Sequence, residues 1–100
     1  MQEARQRIQA LKVNGERVIA FYYDNEGLYG YLYLNDGRII LLNETGVEIL
    51  KHLHKSPMKL SDLLERISRE YEVPQDRIRD SIFKFIEKLI AMGVIRYEEN

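Results

Sequence analysis

The clearest pattern in the chain is an alternation from Leu28 to Leu34. Leu28, Gly30, Leu32 and Leu34 fall on one side, and Tyr29, Tyr31 and Tyr33 on the other. A period of two predicts a β-strand whose leucine face meets a core. The tyrosine face is then half-exposed or covered by a partner. Before it, Arg17 to Asp24 is rich in β-branched and aromatic residues, which predicts a strand. Asp24-Asn25-Glu26-Gly27 between the two suits a hairpin loop. After it, Asn35-Asp36-Gly37 turns the chain into an apolar run, Arg38 to Leu42. Three consecutive strands joined by short loops predict an antiparallel meander with Arg38 to Leu42 at its edge.

From Asn43 onward the period changes to that of helices. Asn43-Glu44-Thr45 offers N-cap oxygens. Thr45 and Glu48 have capping-box spacing, with Asn43 as a competing cap. The first helix, Glu44 to Lys55, carries Gly46, Ile49, Leu50 and Leu53 on one stripe, and Ser56-Pro57 ends it. The second, Leu60 to Tyr71, places Leu60, Leu63, Leu64, Ile67 and Tyr71 on one face. Pro74 suits the first position of the third helix, which runs from Gln75 to Met92 and stops at Gly93. Upstream, Ala4, Ile8 and Leu11 share a face that predicts a short helix over Gln2 to Lys12, closed by Asn14-Gly15. Residues 1–16 thus read as an N-terminal arm or short helix, and residues 17–97 as the domain. The fold class is α+β: a three-stranded antiparallel sheet followed by three helices, the last two forming a helix-turn-helix pair.

A chain of 100 residues is one domain, long enough for one core. The absence of cysteine excludes disulfides, a thiolate nucleophile and cysteine-ligated zinc. No apolar run approaches a membrane span and no signal-peptide pattern opens the chain, so no membrane partner is expected and a cytoplasmic location fits. Fifteen basic residues face sixteen acidic ones. That balance lacks the basic footprint of a nucleic-acid binder. The alternative reading, a DNA-binding winged-helix regulator, would direct Arg77, Arg79, Lys84 and Lys88 at phosphates, but Asp76, Asp80 and Glu87 interleave with them. Catalytic motifs are missing. The two histidines, His52 and His54, point about 160° apart on one helix and do not share a metal. No enzyme activity, cofactor or metal is expected.

Two features point to binding instead. An apolar edge strand is a liability that proteins normally blunt, and Arg38 to Leu42 has one charge and no proline. The third helix has a core stripe of Ile78, Ile82, Phe85, Ile86 and Leu89. Phe83 and Ile90 form a second apolar shoulder about 100° from its centre, bordered by Arg79 and Lys84. Edge strand and shoulder together suggest a slot for an extended peptide, bound by strand addition. A proline at Ile40 is expected to abolish such pairing.

The segment LNETGVEIL, within Arg38 to Leu53, resembles the L-N-x-[ST]-G-x-x-[IL] corner of PqqD-like proteins, also called RiPP recognition elements. KLSDLLERISREYEV is similar to that family's second helix, and SIFKFIEKLIAMGVI to its D-V-x-x-F-L-x-x-L-x-x-x-G-[LV]-[IL] stretch. The likeness covers about Arg17 to Ile95. It implies a winged helix-turn-helix variant acting as a non-catalytic peptide chaperone. The implied partners are the leader region of a ribosomally made precursor peptide and a modifying enzyme: a radical SAM enzyme, a leader peptidase or a cyclase. The implied peptide-binding residues are Arg38, Ile39, Ile40, Leu41 and Leu42 on the strand, with Arg79, Ile82, Phe83, Ile86 and Ile90 on the helix. The chain departs from the family at Ser81, where Asp is usual, and at Lys59, where a Thr cap is common. A homodimer through the tyrosine face is a further expectation.

Overall fold

The computed structural model describes residues 9–98. The chain runs β1 (Ala10–Val13), β2 (Val18–Tyr23), β3 (Gly30–Leu34), β4 (Ile39–Leu42), α1 (Glu44–Lys55), β5 (Met58–Lys59), α2 (Leu60–Tyr71), α3 (Gln75–Ala91) and β6 (Ile95–Tyr97). Strands β2, β3 and β4 form the expected antiparallel meander, in that order. The alternation along β3 sorts its faces as the period requires. Leu32 and Leu34 are fully buried, while Tyr31 and Tyr33 are exposed on the opposite face. Leu28 and Tyr29 precede the strand and are exposed in the hairpin turn. Among the described residues, no helix is long and apolar enough to cross a membrane.

A second sheet was not legible in the pattern. β1 pairs antiparallel with β5 on one side and β6 on the other. The helix expected over Gln2 to Lys12 therefore does not reach Ala10, and its residues 2–8 lie outside the described residues. The reason is tertiary. Partners 45 or more positions away in sequence offer a ladder to Ala10–Val13, and Leu11 is fully buried in the core. Long-range pairing of this kind overrides weak local propensity. Asn14 continues the stitching, its N–H donating to Val94 O at 2.8 Å and its side-chain amide to Gly93 O at 3.0 Å.

Helix α1 begins at Glu44 with Asn43 as N-cap; Asn43 Oδ1 accepts from the Gly46 N–H at 2.9 Å. The Thr45 capping box does not form. Thr45 already lies inside the first turn, and the Glu48 carboxylate is turned toward Lys51 and His52. Lys59 gives α2 no side-chain cap; it is held by β5 pairing with β1 instead. Pro74 is the N-cap of α3, one position earlier than expected, and its carbonyl accepts from the Arg77 N–H. At the other end of α3, Gly93 (φ 77°) takes the left-handed conformation. Its N–H reaches Ile90 O and the Val94 N–H reaches Leu89 O. These two bonds are the Schellman pattern, and they reverse the chain into β6.

One core joins the described elements. Leu11, Leu32, Leu42, Val47, Leu50, Leu63, Ile67, Ile82, Leu89 and Ile95 all belong to a single buried cluster. Its tightest point is Gly30. A Cβ there would lie 2.6 Å from Tyr22 O and 2.8 Å from a Val47 methyl, so the missing side chain lets α1 rest on the sheet.

Arg17 ties the ends of several elements together. Its Nε donates to Met92 O at 3.1 Å, at the end of α3. Its NH1 donates to Asn35 Oδ1 at 2.7 Å and pairs with Asp36 at 3.1 Å, in the β3–β4 turn. Asp36 also accepts from the Arg38 N–H and pairs with its guanidinium at 2.8 Å. The Arg38 backbone N–H, followed by the two guanidinium partners, holds the Asp36 carboxyl down at about 2.

Two outcomes test this account. Gly30→Ala should lose about 1–3 kcal/mol in urea denaturation by overpacking, while Gly15→Ala, with open space around it, should stay within about 0.5 kcal/mol. Asp36 has a folded pKa below its ordinary 3.8, so its contribution is present above about pH 4 and lost as pH falls through about 2. The Tm difference between the parent and Asp36→Asn should therefore be full at about pH 6 and close by about pH 2.

Candidate functional site

The site is built around β4. Its inner side pairs with β3 in the register Leu32↔Ile40 and Tyr31↔Leu41. No strand among the described residues pairs with its outer side. The hairpin shows which backbone groups face out. The Leu34 N–H donates to Arg38 O at 2.9 Å, which makes Leu34 and Arg38 a hydrogen-bonded pair. Antiparallel ladders alternate, so Ile40 and Leu42 turn their backbone groups toward β3. Ile39 and Leu41 turn theirs outward. A proline at Ile40 would therefore break the inner ladder, not an incoming strand. The position that interrogates the open edge is Leu41.

Side chains follow the same alternation on the two faces. Leu42 is buried and Ile40 half-buried against the core, on the helix side. Ile39 and Leu41 are 55% and 83% exposed and continue the tyrosine face. Leu41 sits opposite Tyr31, which sits opposite Tyr22, with the two tyrosine rings 5.1 Å apart. Arg38, at the head of the strand, is engaged by Asp36.

The point at which α3 comes near β4 is Gly46. A Cβ on Gly46 would lie 3.2 Å from the tip of Phe85 and 3.4 Å from Leu42 Cδ2. Phe85 thus flanks the end of β4. Arg17 brings Met92, at the other end of this face, to the β3–β4 turn at the start of β4. Phe85 thus lies near the end of β4 and Met92 near the turn at its start. Ser81, Lys88 and Met92 share the face of Phe85 to within about 60°.

The residues expected on the helix wall are divided by this arrangement. Ile82 and Ile86 are each 2% exposed and belong to the core. Arg79 and Phe83 border a shallow hollow with Leu60, Ser61, Leu64 and Gln75, between α2 and α3, and no β4 residue lines it. Ile90 is half-buried against the core. The strand residues Arg38 to Leu42 are together; the five helix residues are not gathered beside them. The aromatic residue that does adjoin the strand is Phe85. The sequence signal for it was Gly46, the small residue in the first turn of α1. The exposed basic residues of α3, Arg77, Arg79, Lys84 and Lys88, remain interleaved with exposed Asp76, Asp80 and Glu87.

The family model for coenzyme PQQ synthesis protein D (PqqD) matches residues 30–95. That span begins with β3 and ends at the first residue of β6, and so contains β4, Gly46 and helices α1, α2 and α3. No curated protein and no solved structure matches the chain. The matched region is more than half of the chain and includes the corner between β4 and α1 on which the site is built, and the chain belongs to the PqqD family.

Proposed function

We propose that the protein binds the leader region of a ribosomally made precursor peptide as an added strand on β4. It then presents the precursor to a modifying enzyme in the cytoplasm and performs no chemistry itself. The observation that carries this reading is the open outer edge of β4, with Ile39 and Leu41 turning backbone donors and acceptors outward. Family membership agrees with it.

In this mode main-chain hydrogen bonds supply affinity, and alternate side chains of the peptide supply specificity. One set of side chains lies over Ile39 and Leu41, continuing the tyrosine face. The other set turns toward the helix layer and meets Ile40, Leu42 and the Phe85 side of α3. Arg79 and Phe83 lie on the far side of α3, toward α2, and take no direct part, and Ile82 and Ile86 support the wall from within the core. The tyrosine face next to the added strand is then the surface that an enzyme partner meets. A radical SAM enzyme, a leader peptidase and a cyclase all use a precursor held in this way.

Isothermal titration with the leader peptide of a precursor encoded beside this gene tests the reading. Binding tighter than roughly 100 µM, or ~5–6 kcal/mol, is expected. Leu41→Pro should weaken it at least tenfold (about 1.4 kcal/mol) with an unchanged circular-dichroism spectrum, because proline is tolerated on an edge. Ile40→Pro should instead lower the melting temperature. If the folded Leu41→Pro variant binds the leader as the parent does, strand addition to β4 is wrong. Phe85→Leu should also weaken binding, whereas Phe83→Leu should leave it unchanged; the reverse result would move the helix wall to the α2 side.

A further inference from the structure

On a part of α1 away from the Gly46–Phe85 contact, three side chains with metal-ligating atoms converge. Glu48 and His52 are four residues apart on α1 and so project from one face, one turn apart. Glu70 reaches the same point from the last turn of α2. His52 Nε2 is 2.6 Å from Glu70 Oε1 and 3.5 Å from Glu48 Oε2. One ligand atom from each of the three lies within 4.8 Å of the others. The side chains are 15%, 23% and 38% exposed for His52, Glu48 and Glu70 respectively, which leaves the cluster sheltered but open on one side.

The imidazole alone does not satisfy this cluster. Nε2 carries at most one proton, and given to Glu70 it leaves Glu48 Oε2 beyond good hydrogen-bonding distance. Lys51 reaches the other Glu48 oxygen only at 3.7 Å. Two carboxylates from separate helices thus face one imidazole nitrogen.

We propose that Glu48, His52 and Glu70 form a binding site for a divalent transition-metal cation of the zinc class, bridging α1 and α2. Zinc takes imidazole nitrogen at about 2.0–2.1 Å and carboxylate oxygen at about 2.0–2.2 Å in tetrahedral geometry, so neighbouring ligand atoms stand about 3.4 Å apart. The Glu48–His52 separation of 3.5 Å already has this value. Glu70 is 2.6 Å from the nitrogen and has to open by under about 1 Å. It is the most exposed of the three and has room to do so. Solvent occupies the fourth position. A nitrogen ligand with only two carboxylates favours zinc-class ions over calcium or magnesium, which take more oxygen ligands. His54 takes no part; its ring lies against Phe21, with centroids 6.2 Å apart. The site uses no residue of the β4 edge, so it does not depend on the peptide-binding reading.

Zinc chloride titrated into the chelator-stripped full chain tests the assignment. One zinc per chain with micromolar or tighter affinity is expected, with no comparable response to magnesium. His52→Ala and Glu70→Gln should each weaken zinc at least tenfold, while Glu65→Gln, a residue paired with Arg69 on the outer face of α2, should leave it unchanged. In the parent protein, long-range proton–nitrogen NMR should show the His52 Nε2 resonance moving with zinc and the His54 ring unmoved. That readout needs no variant to fold. Failure to saturate at one zinc per chain, a response at His54 instead of His52, or full affinity in folded His52→Ala would overturn the proposal.

Discussion

Helix α1 has to lie close to two neighbours at once, and the rest of the structure follows from that requirement. Its Val47 methyl rests where a side chain at position 30 would be, and its Gly46 leaves room for the ring of Phe85. The first contact sets the helix against the sheet, and the second sets α3 against the end of β4. Protein interiors are close-packed, so neither gap tolerates an added group without a shift. Asn43 places the start of α1 directly after β4 by capping the Gly46 N–H. Strand edge and helix cap therefore lie in one short segment, Ile39 to Val47, against which Phe85 of α3 packs.

The other end of α3 is held by polar contacts. Arg17 joins Met92 O to the Asn35–Asp36 turn, so the two ends of the β4–α3 pair are tied by different forces. At Gly46 the tie is van der Waals packing; at Arg17 it is charge-assisted hydrogen bonding, which is directional. Between these ties the outer backbone of β4 is left without a strand partner among the described residues. An edge with an 83% exposed leucine invites pairing. That open edge is what the proposed peptide-binding role rests on.

Much of this was legible in residue order. The meander, the three helices and the inward leucines of β3 follow from periods of 2 and 3.6, and the structure has them. The helix wall was harder to read. Phe83 and Phe85 are two residues apart on α3, about 160° around the axis, and both carry an aromatic ring. Periodicity places Phe85 on the core stripe and Phe83 on a shoulder, but it does not say which neighbour each shoulder meets. Only the position of α2, which takes the Phe83 side, and of Gly46, which takes the Phe85 side, resolves it. Similarly, His52 and His54 diverge as their spacing requires. What spacing between the two histidines could not reveal was Glu70, 18 residues along the chain from His52 and brought to its ring by the packing of α2 on α1.

By itself, the sequence determined the elements that depend on near neighbours: strand alternation, the hairpin turns, the Gly93 stop and a cap within Asn43–Thr45. These are local because a turn, a cap or a period involves residues a few positions apart. Tertiary structure alone decided what required distant partners to meet. Ala10–Val13 became a strand because Met58–Lys59 and Ile95–Tyr97 flank it. The direction of the Ile40 and Leu41 backbone groups was decided by the register with β3. Register and long-range pairing are set by how the faces of separate elements fit around one core, and a one-residue slip would exchange the inner and outer faces of β4.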